Sequence, residues 1–97
     1  MIRHILLLNW VDPLDAAKID DAVRIVESVR TLPWIAGLYH GSGLKLAADG
    51  YDFVVVMDFA SEDDWRAYDG DPQHKAAADA LRPLVSAKAR IQFEVPQ

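Results

Sequence analysis

Apolar and polar positions along the chain fall into two spacings, period two and period three-to-four, and these divide it into strands and helices. Residues Ile2–Val11 are apolar on both parities, with His4, Leu6, Leu8 and Trp10 on one side and Ile5, Leu7 and Val11 on the other. A strand without a wet side lies in the interior of a sheet covered on both faces. Asp12-Pro13 then predicts a helix start, with Asp12 as N-cap, Pro13 at the first helical position and Asp15 in the first turn. Ile19, Ala22, Val23, Val26 and Val29 recur three and four apart, with Ile25 beside them. Lys18, Asp20, Asp21, Arg24, Glu27 and Arg30 take the opposite side, the pattern of an amphipathic helix. It should stop by Leu32, because the residue before Pro33 is pushed out of helical geometry.

Ile35–Leu46 reads as a weaker strand whose glycines suit a bulge or an edge, and Ala47–Gly50 as a turn. Tyr51–Ala60 is a second strongly apolar strand. Tyr51, Phe53, Val55, Met57 and Phe59 share one side, and Asp52, Val54, Val56 and Asp58 the other. Ser61 and Asp64 resemble a capping box for a short helix over Glu62–Tyr68, which ends at Asp69-Gly70. Asp71-Pro72 repeats the cap-plus-proline start. That helix runs to about Leu81, continues past Pro83 with a kink and ends near Ala87. Ala89–Val95 is the last strand, with Ile91, Phe93 and Val95 alternating against Arg90, Gln92 and Glu94.

The order β-α-β-β-α-β predicts an α+β, ferredoxin-like chain: a four-stranded antiparallel sheet with helices on one face. Pairing rules put the first and third strands in the centre, and these are the two that are apolar on both parities. The other face offers Ile5, Leu7, Val54, Val56, Ile91, Phe93 and Tyr39, with nothing left in the chain to cover it. Roughly seven side chains at about 1.5–3 kcal/mol each is too much apolar surface to leave wet. A homodimer, sheet face against sheet face, is expected.

Composition narrows the function. Ninety-seven residues predict one domain, and 52% of them are hydrophobic, rich for so short a chain. The net charge of −5 leaves no electrostatic footprint for nucleic acid or an anionic membrane. There is no Cys, hence no disulfide framework or thiolate chemistry. The apolar run near the start is too short for a leader or a spanning helix, so a cytoplasmic protein is expected.

The ordered set MIRHILLLNW, LPWIAGLYHG, GYDFVVVMDFAS, W-x-x-Y-x-x-x-P-x-H and IQFEV resembles the stress-responsive A/B barrel (Dabb) family across nearly the whole chain, residues 1–97 as one such domain. The resemblance implies a dimeric α+β barrel with a cavity between sheet and helices. One activity in the family is a plant polyketide cyclase, which closes a linear poly-β-keto thioester by aldol condensation. Its catalytic Tyr and His occupy the segment that is Tyr68 and His74 here, and the His on its first strand corresponds to His4. A further pocket His of that enzyme falls on Phe53, a departure that removes a polar group.

The residues support the same three candidates for catalysis. His74 would sit at the third helical position after Asp71, where the positive helix end favours a neutral imidazole able to accept a proton. Tyr68 closes the preceding helix and could hydrogen-bond that imidazole or a substrate carbonyl. His4 shares a strand side with Leu6 and Leu8. With Phe53 and Val55 opposite, and Trp65 nearby, this makes a mostly apolar pocket with few polar groups, the usual form of a small-molecule site. Arg90 or Gln92 on the last strand could also reach it. No cofactor is implied, and no HxH or HExxH spacing points to a metal.

Each candidate also has a plain structural reading. His74 and Tyr68 could be a structural polar pair, His4 a satisfied core histidine, Trp34 and Trp65 packing, His40 an edge residue. Three functions therefore stand: a cyclase-like or lyase-like enzyme on an apolar or aromatic carbonyl compound, a non-catalytic small-molecule-binding or stress-protective dimer, and a haem-degrading monooxygenase of the related antibiotic-biosynthesis monooxygenase group. For the last the register fails, since that group's Trp falls on Tyr68 and its His on Ala78.

Overall fold

The computed structural model describes residues 1–96. Its elements are β1 (Ile2–Trp10), α1 (Ala16–Glu27), β2 (Ile35–Ser42), β3 (Phe53–Phe59), α2 (Glu62–Gly70), α3 (Pro72–Leu81), a 3-10 turn (Arg82–Leu84) and β4 (Val85–Glu94). The strands form one antiparallel sheet in the order β2-β3-β1-β4. The chain has the ferredoxin-like βαββαβ arrangement that its pattern predicts, with the doubly apolar β1 and β3 in the centre. No helix of the described residues is long and apolar enough to cross a membrane.

Cross-strand register sorts the side chains into rows. On the helix-covered face lie the rows Leu38–Met57–His4–Gln92, His40–Val55–Leu6–Arg90 and Ser42–Phe53–Leu8–Lys88. On the opposite face lie Gly37–Asp58–Arg3–Phe93, Tyr39–Val56–Ile5–Ile91 and Gly41–Val54–Leu7–Ala89. The core sits against the first set: Leu8, Phe53, Val55, Met57 and Phe59 pack with Ala22, Val26 and Val29, with Tyr68 from α2 and with Leu81 from α3. On the open face Arg3 grips Asp58 with two hydrogen bonds, 2.8 and 3.0 Å. That guanidinium holds the Asp58 carboxyl below the usual carboxylate range.

Three boundaries differ from the sequence expectation. The first helix starts at Ala16, not at Pro13, because Asp15 rather than Asp12 caps it, accepting the Lys18 N–H at 2.9 Å. It ends at Glu27, and turns carry Val29 and Leu32 into the core. The helix after Asp71 does not kink past Pro83. It tightens into the 3-10 turn, and Val85 already pairs with Trp10, so β4 takes in residues assigned to the helix. The Val11 N–H donates to the Leu84 carbonyl at 3.0 Å and fixes this corner. The second strand stops at Ser42. There the Gly43 N–H donates to the Asp52 carbonyl at 2.7 Å, and a Cβ at Gly43 would collide with the Tyr51 carbonyl oxygen. Only glycine fits that approach.

Candidate functional site

Between the helices and the β1–β4 half of the sheet lies a cavity of about 350 Å³. Its origin is legible in α3, which turns Ala77, Ala78 and Leu81 toward the sheet. Alanine side chains are too short to fill the space above β4, whose side chains on this face are Lys88, Arg90 and Gln92. Leu6, Leu8, Val26, Val29, Val55 and Met57 give it apolar walls.

Tyr68 and His74 stand at one end. Asp71 caps α3, accepting the N–H of Gln73 at 2.8 Å and of His74 at 3.3 Å, and so sets the first turn on which His74 sits. The Tyr68 and His74 rings meet at 4.2 Å between centroids, tilted by 38°. This is ring contact; the described residues form no hydrogen bond between them. His74 Nδ1 instead lies 3.2 Å from the Asp69 carbonyl. A carbonyl can only accept, so Nδ1 carries the proton and Nε2 of the neutral ring keeps its lone pair. Tyr68 is buried against Phe59, with centroids 5.1 Å apart. Burial and the Asp69 carboxylate push its phenol well above the ordinary value, so it stays a donor at neutral pH. Its hydroxyl makes no hydrogen bond among the described residues, yet none of their sealed side-chain polar atoms lacks a partner. The hydroxyl therefore opens onto free space.

His4 lies across from this pair, 6.4 Å from the Tyr68 ring. Its Nδ1 accepts from Trp65 Nε1 at 3.4 Å and from Gln92 Nε2 at 2.9 Å. An indole N–H can only donate, so the neutral ring carries its proton on Nε2, which has no partner among the described residues. Burial, then the nearby charges of Arg90 and His74, lower its pKa to about 4, so the ring is neutral at physiological pH.

The expected site residues thus separate. His4, Leu6, Leu8, Val55, Tyr68 and His74 all line the cavity. Trp65 is not on its lining; it stands behind His4 as a hydrogen-bond donor. Phe53 lies beyond the cavity, between Trp10 at 5.2 Å and the stacked His40 ring at 6.0 Å. His40 is tied to α1 through Glu27 at 3.1 Å. Arg90 lines the cavity and Gln92 supports it from behind, as the parity of the last strand allows. Val26 of α1 and Val29 just after it, the α3 alanines and Lys88 are lining residues that the pattern did not assign to a pocket. The run of small residues Ala76–Ala78 was the available signal for room beneath α3. Among the described residues no group of three His, Cys, Asp or Glu side chains could hold a metal ion.

The model of the stress responsive A/B barrel domain family matches residues 2–96. No curated protein sequence matches the chain. Among solved structures, a dimeric ferredoxin-like protein of unknown function from Thermobifida fusca is similar at a TM-score of 0.87 and 33% identity, covering 97% of this chain and 90% of that one. A hydroxynitrile lyase from Passiflora edulis is similar at 0.89 and 18% identity, covering 99% and 94%. A cofactor-independent oxygenase from Streptomyces nogalater is similar at 0.77 and 14% identity, covering 99% and 93%.

Proposed function

Because the chain belongs to the stress responsive A/B barrel domain family, we propose that it is a homodimeric enzyme that takes an apolar or aromatic carbonyl compound into the cavity and moves a proton on it. The observation that carries this reading is the open chemistry of the Tyr68–His74 end. One imidazole nitrogen is fixed by the Asp69 carbonyl, the other is left as an acceptor, and a phenol donor lies in ring contact. In the proposed step His74 Nε2 accepts a proton from the carbon beside the substrate carbonyl. The electron pair of that C–H bond moves onto the carbonyl oxygen, where the Tyr68 hydroxyl and the His4 Nε2–H hydrogen-bond the developing enolate. Carbon–carbon bond formation or cleavage next to the carbonyl follows from the enolate, the chemistry of a cyclase or a lyase. The likeness to a cofactor-independent oxygenase supports a cavity that works through its own side chains.

The dimer in this reading forms through the open sheet face, with Ile5, Leu7, Val54, Val56, Ile91 and Phe93 at its centre. The exposure of Ile91 and Phe93 and the dimeric Thermobifida fusca protein support it.

A second reading, a dimer that binds a small molecule without chemistry, is favoured by one observation: Tyr68 and His74 touch as rings and not as a hydrogen-bonded dyad. One experiment separates the two. Acetophenone in D2O is followed by proton NMR for exchange of its methyl protons. The enzyme reading expects catalysed exchange that falls by about 10²–10⁴ in His74→Ala with the fold retained by circular dichroism. Acetophenone binding without exchange in the wild type favours the binding reading; equal exchange in His74→Ala removes His74 as the base.

A further inference from the structure

Resting on the cavity reading above, we propose that Arg90 and Lys88 form an anion subsite, so that the ligand is an amphiphilic carboxylate: an apolar or aromatic body, a carbonyl at the Tyr68–His74 end, and a carboxylate held at β4.

The patterning of β4 is inverted. The side chains of β4 that face the helices are Lys88, Arg90 and Gln92, while its apolar residues Ala89, Ile91 and Phe93 face the other way. Gln92 is accounted for by its bond to His4. Lys88 and Arg90 are not: both are exposed side chains at the rim of the cavity, and neither enters an ion pair among the described residues. Nearby acids are engaged elsewhere. Glu94 lies 3.7 Å from the Met1 amino group, and Asp79 binds Arg82 at 2.8 Å. Asp69 is the one carboxylate on the lining, and it adjoins Tyr68 and His74. Two unpaired cations on one wall of a concave, largely apolar site, in a chain of net charge −5, make a local positive field. Low-dielectric walls concentrate that field on whatever enters.

The register supplies a ruler. Gln92, Arg90 and Lys88 lie opposite His4, Leu6 and Leu8, and alternate residues on a strand stand about 6–7 Å apart. Arg90 is thus one stride from the His4 row and Lys88 two. A ligand with its carbonyl near His4 and His74 and its body on Leu6 and Val55 would bring a carboxylate to Arg90. The guanidinium can take it through two parallel hydrogen bonds, and Lys88 adds a point charge.

The test uses a matched pair of aryl methyl ketones, 4-acetylbenzoate and its neutral amide 4-acetylbenzamide, titrated calorimetrically into the protein. The wild type should bind the carboxylate roughly three- to tenfold more tightly than the amide. Arg90→Gln should abolish that preference, Lys88→Gln should reduce it, and Arg90→Lys should restore part of it. Lys18→Gln removes an equal charge from the outside of α1 and should change nothing. A wild type that binds both ligands equally, or an Arg90→Gln that keeps the preference, overturns the anion subsite and leaves the cavity reading intact. If neither ligand binds, the cavity reading itself fails and the subsite with it. A ligand-free measurement covers the case in which a variant perturbs packing. His4 is faced by Arg90, His74 and Asp69, so its imidazole titration, followed by NMR, should move upward from about 4 in Arg90→Gln. An unmoved titration places the Arg90 charge away from the cavity and overturns the proposal.

Discussion

The two faces of the sheet are built from the same strands and meet opposite fates. Along β3, Phe53, Val55, Met57 and Phe59 are at most 5% exposed, sealed by α1 and α2. On the other face Tyr39, Ile91 and Phe93 keep 59%, 58% and 40% of their surface. Hydrophobicity is similar on both, so it does not by itself tell a finished core from an unfinished one. The edge strand β4 shows the difference most sharply, because there the polarity is inverted. Its cations lie on the helix side of the sheet, exposed at the rim of the cavity, and its aliphatic and aromatic residues lie on the bare side. Apolar residues on a bare face mark a surface that awaits another protein.

The largest effect should come from the finished side. Phe59 is fully buried and packs on Tyr68. Phe59→Ala should cost about 3–5 kcal/mol in urea unfolding, the range for a large aromatic lost from a core that relaxes only in part. It should also loosen Tyr68 and lower ligand affinity. A loss under about 1 kcal/mol would mean that the helices do not close this face as tightly as the packing shows.

A smaller effect distinguishes the cavity end of the same face. His4 is buried neutral, with a pKa lowered to about 4. The unfolded chain binds a proton at this residue near pH 6.5, the folded chain only near pH 4, so between these values the unfolded state holds more protons. Stability therefore rises with pH across that window and is lost as pH falls through it, by roughly 2–3 kcal/mol for a shift of this size. Urea midpoints from pH 7 to 4.5 should fall in the wild type and fall less in His4→Gln. Parallel pH profiles for the two proteins would show that His4 is not the group responsible. Glu27 is held down to about 2, from 4.5, by its hydrogen bonds to Arg30 and His40; its contribution is lost as pH falls from 4.5 downward and is common to both proteins, so the difference between their profiles belongs to His4.

Much of the covered face was legible in the sequence because it is fixed by local rules. Apolar residues on both parities put β1 and β3 in the centre, and the Asp71-Pro72 pair set the start of α3 and so the place of His74. The same signature misled at Asp12-Pro13, where Asp15 stands three residues on and takes the cap. Two acceptable caps in tandem leave local chemistry undecided, and the packing of Ala22 and Val26 settles it. Pro83 reads as a kink until Val85 is seen to pair with Trp10, a contact between residues far apart in the chain. The site divides along the same line. Parity and capping brought out His4, Tyr68 and His74. The Trp65 bond to His4 and the displacement of Phe53 toward Trp10 and His40 depend on how α2 and β2 lie across the sheet, which no short-range pattern encodes.

The smallest effect tests the bare face. Ile91 is 58% exposed in the single chain, and an exposed aliphatic residue outside any interface tolerates truncation within about 0.5 kcal/mol. On a twofold interface the same truncation acts twice. At about 25 cal/mol per Å² of buried apolar surface, Ile91→Ala should then remove roughly 1 kcal/mol per protomer from association. Sedimentation equilibrium would read this as a dimer dissociation constant raised by about ten- to thirtyfold, with the circular dichroism spectrum unchanged. The concentration dependence of unfolding gives a second readout. A dimer-linked loss of stability grows with protein concentration, whereas the Phe59→Ala loss keeps its size when both proteins are diluted until protomers predominate. Should Ile91→Ala leave the dissociation constant where it was, the aliphatic row through Val56, Ile5 and Ile91 would not be the seam between protomers. The inverted patterning of β4 would then need an explanation from the cavity side alone.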